Sequence, residues 1–139
     1  MATQRVSEGH AARRTFALLA GDLVVFMAFA ALGRRSHGAA AGLGALGEVA
    51  LTAAPFMLGW LVAAPVLGAL DSRATRGPLA MLGRALVAWV LALAIGSVVR
   101  ALIIGRFSPP SFYLVTFLVV AVLIGGWRAA FAWWAARRG

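Results

Sequence analysis

The sequence predicts an all-α fold, a four-helix transmembrane bundle, and three observations carry that expectation. Hydrophobic residues make up 63% of the 139-residue chain and charged residues only 12%, where a soluble globular domain carries about 25% charged residues. The apolar residues fall into four runs, each long enough to cross a hydrocarbon core of about 30 Å at 1.5 Å rise per residue. Between the runs lie short polar segments rich in Gly, Pro and Arg, which punctuate helices. A chain of this length builds one compact unit, so a single transmembrane domain is expected over residues 15–134.

Residues 1–14 (MATQRVSEGHAARR) lack the apolar content to pack and read as a mobile basic tail lying on the membrane surface. The first span is expected from Thr15 to Leu32, with Asp22 in its middle. That buried-depth carboxylate and the length of the run argue against a cleaved signal peptide. The glycine-rich stretch Gly33 to Gly47 then predicts a loop. A second span follows from Glu48 to Leu70, and its Pro55 and Pro65 are tolerable because neighbouring helices can satisfy the freed carbonyls. After the polar turn DSRATRGP, the third span covers Leu79 to Ile104. Two consecutive prolines in GRFSPPS stop it, and the fourth span runs from Phe112 to Trp134. Residues 135–139 form a second short basic tail.

All 13 basic residues are Arg and none is Lys. Nine of them lie on the side of the two tails and the middle loop, against four (Arg34, Arg35, Arg100 and Arg106) on the other. The positive-inside rule therefore places both termini in the cytoplasm of a multi-pass plasma-membrane protein. The net charge of +9 is distributed as membrane topology, suited to anionic lipid headgroups as partners and not to nucleic acid. Four short helices enclose little room, so a homo-oligomer or a place in a larger membrane complex is expected as well. The halves also share dipeptides, Gly33-Arg34 with Gly105-Arg106 and Gly59-Trp60 with Gly126-Trp127. Such a pattern is compatible with a parallel 2+2 duplication about an axis along the membrane normal.

Function is sought in the few polar groups, because an ionisable residue inside a span costs roughly 2.5–3.5 kcal/mol and is normally turned inward and paired. Asp22 and Arg128 lie about 10 Å and 9 Å from the same membrane face, counting 1.5 Å per residue, which makes them the first expected pair. Near the other face, Glu48 and Arg100 gather with Arg34, Arg35 and His37 into one carboxylate among arginines, a setting suited to an anion. Thr52, Pro55 and Trp60 lie between the layers, and Thr52 with Ser97 and Thr116 would line a polar pathway if one exists. The alternative is that these groups only hold the helices in register.

Catalysis is not expected. The chain has no Cys and two His, which excludes thiol chemistry and a histidine-rich metal centre. No P-loop is possible without Lys. No cofactor is expected either: haem has no in-span His to ligate it, and Trp60, Trp89 and Trp127, which could stack on a carotenoid, quinone or porphyrin, are more simply read as packed or lipid-facing aromatics. The reading that remains is a small transporter, channel or binding bundle for an anion, lipid or small molecule, or else a non-catalytic accessory subunit of a membrane complex.

The segments GDLVVFMAFAALGRRSHG (Gly21 to Gly38), LTAAPFMLGW (Leu51 to Trp60) and GGWR (Gly125 to Arg128), together with Arg100, resemble a bacterial and archaeal membrane family, DUF3054. The resemblance runs from about Thr15 to Arg128. It implies four spans and no established activity, and it draws attention to the stretches holding Asp22, Arg34, Arg35, His37, Pro55, Trp60, Arg100 and Arg128.

Overall fold

The computed structural model describes residues 2–36, 43–71 and 77–137. It is built from four α-helices: α1 (Ala2–Ser36), α2 (Leu43–Val66), α3 (Pro78–Ile104) and α4 (Pro110–Ala136). Among the described residues there is no strand. All four helices are long and apolar enough to span a membrane, and the chain is a multi-pass membrane protein. Each helix packs on its neighbour in sequence, and α4 returns to α1, so the four close into a ring.

The helix ends differ from the sequence expectation in three main places, one being α2, which stops at Val66 where the span was expected to run to Leu70. Residues 2–14, read as a mobile basic tail outside the span, continue α1; once the span is helical, each further Gln, Glu, Ala or Arg adds a hydrogen bond without a new nucleation cost. The loop expected over Gly33 to Gly47 is shorter, because α1 runs on to Ser36 and α2 starts at Leu43. Gly33, Gly44 and Gly47 are thus helical, their cost of about 1 kcal/mol each against Ala being small beside the burial of an entire span.

The most extensive seam joins α2 to α3. Gly59 rests on the Ala92 carbonyl, and Gly96 rests on Phe56 and the Pro55 carbonyl, so a methyl group would collide with backbone at Gly59 and with the Phe56 ring at Gly96. Buried Ala85, Ala88 and Ala92 continue that stripe along α3, which lets the two backbones approach closely where lipid offers no competing hydrophobic drive. Gly105, at φ 72°, ends α3 in the left-handed conformation glycine adopts without strain.

The middle of the ring is filled by aromatic rings. Phe26 of α1 lies 5.5 Å from Trp89 of α3 and 6.0 Å from Trp60 of α2. Phe56 of α2 lies 6.3 Å from Trp89 and 6.1 Å from Phe112 of α4. Trp89 also donates its indole N–H to the Phe117 carbonyl at 3.1 Å, meeting the need of a buried tryptophan for a partner. This column joins all four helices through their centre.

Candidate functional site

Asp22 and Arg128 meet, as their equal depth predicts, and both side chains are 0% exposed. The guanidinium forks onto the carboxylate: Nε donates to Oδ1 at 3.0 Å and Nη2 to Oδ2 at 2.5 Å. Such a two-pronged pair is strong because the planar donor matches the planar acceptor. The third branch, Nη1, donates to the Ala69 carbonyl at 2.6 Å. Trp60 donates its indole N–H to Oδ2 at 3.1 Å, and its ring lies 5.7 Å from the guanidinium carbon. A net-neutral pair with its donors used is the form in which two charges can remain within a bilayer.

The sequence determines this cluster locally. At the end of α2, Gly68 takes φ 68°, Gly68 N–H bonds to the Pro65 carbonyl, and Ala69 N–H reaches back to the Ala64 carbonyl. These two bonds form a Schellman turn. It folds Ala69 and Leu70 under the bundle, where both are buried, and aims the Ala69 carbonyl at Arg128. From α3, Arg84 Nη1 donates to the Leu67 carbonyl at 3.1 Å and satisfies another carbonyl of the same turn.

Behind the pair stands Trp127. Its ring lies against Gly21 so closely that no Cβ fits there. Its indole N–H faces the Asp22 carboxylate but stays outside hydrogen-bond geometry. Both Gly-Trp tryptophans therefore converge on Asp22, so the matching dipeptides of the two halves are used asymmetrically.

On its outer side Trp127 walls a groove of about 410 Å³ between α1 and α4, completed by Ala17, Ala130, Phe131 and Trp134. The lining is apolar, and the volume falls within the roughly 300–1,000 Å³ of small-molecule sites. At the same end of the bundle, the Arg14 guanidinium lies 5.8 Å from the Phe131 ring centre, within electrostatic range of Asp71 and Arg128.

The other expected layer is divided. Glu48 pairs with Arg34 and joins α1 to α2, with the carboxylate side chain 62% exposed. Arg100 does not join them. Its Nε donates to Ser108 Oγ at 3.2 Å and its guanidinium stacks 4.8 Å from the Phe112 ring centre, while Ser108 N–H donates to the Tyr113 hydroxyl at 2.9 Å. Arg100 therefore braces the α3–α4 turn, because residues eight and twelve positions on are nearer to it than α1. Arg35 is exposed at the end of α1, and His37 lies outside the described residues.

Two of the mid-depth polar groups turn to their own helices, and Thr116 is buried. Thr52 donates to the Glu48 carbonyl at 2.9 Å and Ser97 to the Leu93 carbonyl at 2.6 Å. Among the described residues no three His, Cys, Asp or Glu come together as a metal site. Sequence reasoning missed Gly21 and Ala69 and noticed Trp127 only through its Gly-Trp dipeptide, without placing it at Asp22; Gly68 before Ala69 was a further signal, as a glycine at the end of an apolar run marks a helix stop.

The model of the DUF3054 family, described as a protein of unknown function, matches residues 19–131, most of the chain. The chain belongs to that family. The DUF3054 match takes in Asp22, Trp60, Trp127 and Arg128, and with them the whole ion-pair cluster. No curated protein and no solved structure gives a match.

Proposed function

We propose that this DUF3054 protein is a non-catalytic binding bundle that admits an amphiphilic or apolar molecule from the bilayer sideways into the α1–α4 groove. The single observation that carries the reading is that apolar groove on the exposed side of the α1–α4 seam, separated from the buried ion pair by one indole ring. A route through the middle is less well supported, because aromatic rings occupy it. The Asp22–Arg128 pair then holds the seam shut behind the ligand.

The test is native mass spectrometry of the full chain released from mild detergent. The wild type is expected to carry a co-purified lipid-sized adduct, and Ala17→Phe, which fills the groove, is expected to lose it. Equal adducts on both proteins, or none on either, would remove the groove from consideration.

A further inference from the structure

The groove is walled by an apolar stripe of α4 and by Ala17 of α1, and both helices carry arginine beyond it at the same end of the bundle. On α4 the lining residues Trp127, Ala130, Phe131 and Trp134 follow one another at three- and four-residue spacing, the period of one helix face. Seven residues of rise give that wall a length of about 10 Å. Arg137, three residues beyond Trp134, is exposed and holds its guanidinium 3.6 Å from the Trp133 ring centre. On α1, Arg13 stands one turn before the lining residue Ala17 and is exposed. Arg14, beside it, is the cation over Phe131, a lining residue.

An apolar trough about 10 Å long that ends at cations fits a molecule with a matching division of chemistry. We infer that the occupant is an anionic membrane phospholipid, one acyl chain in the groove and the phosphate between Arg13 and Arg137, an inference that rests on the binding role proposed above. A free phosphate would leave the apolar wall uncovered, and a neutral amphiphile would not engage Arg13 and Arg137. Arginine suits the phosphate because its donors form a planar fork. Trp134, half exposed at the arginine end of the groove, has the amphipathic character favoured at headgroup level.

The test reads lipid retention on the full chain in mild detergent, titrated with phosphatidylglycerol or phosphatidylcholine of identical chains and followed by native mass spectrometry. Wild type is expected to favour phosphatidylglycerol. Arg13→Gln and Arg137→Gln, both on exposed side chains, should each reduce that preference about fivefold, as one surface cation per anionic headgroup predicts. The double variant should bind the two lipids alike. Ala17→Phe should lose both lipids.

Equal retention of the two lipids by wild type, or an unchanged preference in the double arginine variant, would overturn the headgroup assignment while leaving the groove as a binding site. Retention of both lipids by Ala17→Phe at the wild-type level would overturn the groove reading beneath it. A wild-type peak that is a dimer free of lipid would overturn both, by giving the seam to a second copy of the chain.

Discussion

The α2–α3 seam and the α1–α4 seam close the same ring by opposite means. At α2–α3 the backbones meet through Gly59, Ala92 and Gly96 with no room to spare, and the charged group there, Arg84, bonds the Leu67 carbonyl at the end of the seam. At α1–α4 the helices meet through one buried ion pair and the Trp127 ring seated on Gly21, and the space outside that ring remains open as a groove. Close packing of small residues makes a seam that cannot admit anything. A polar clasp makes one that is specific in register, costly if broken and open on the outer side of Trp127. That difference is the reason to place binding at α1–α4.

The largest expected effect comes from breaking the clasp on one side only. Asp22→Leu or Arg128→Met leaves an uncompensated charge in a dry site, with an expected loss of about 3–5 kcal/mol of stability, read as a lowered melting temperature in detergent. Next, Gly59→Val should cost about 3 kcal/mol by forcing α2 off the Ala92 carbonyl. A stable Gly59→Val protein would mean that the α2–α3 seam is looser than its geometry indicates.

Trp60→Phe keeps a ring in place but removes one charge-assisted hydrogen bond to Asp22, a loss of about 2 kcal/mol. Gly21→Ala sharpens the comparison from the other side: displacing Trp127 outward should narrow the groove and reduce lipid retention before it reduces helicity by circular dichroism. The smallest effect is expected at the opposite end of the bundle. Glu48→Gln breaks a pair whose carboxylate is largely in solvent or headgroups, and about 0–1 kcal/mol is expected there.

What was legible in the sequence follows from what depth and periodicity can encode. Four apolar runs specify four spans, since no other use of such segments satisfies the backbone. Counting residues from the membrane face paired Asp22 with Arg128, because an antiparallel α1 and α4 bring equal depths together. The same counting placed Arg100 with Glu48, and there it misled: depth gives the level of a side chain but not its direction around the helix, and Arg100 found Ser108 and Phe112 on its own turn. The Ala69 carbonyl was illegible for a different reason. Backbone acceptors leave no trace in side-chain pattern, and only the geometry of the Gly68 turn aims this one at Arg128. The groove depends on Gly21 seating Trp127, a contact between two helices distant in sequence.

The most direct test of the clasp is a double-mutant cycle on Asp22 and Arg128, with melting temperature measured in one detergent for wild type, Asp22→Leu, Arg128→Met and the double variant. If the pair holds the α1–α4 seam as a net-neutral unit, the double variant should be markedly more stable than either single one, since it leaves no buried charge unpaired. Losses that simply add would contradict that account and show that the two residues act separately.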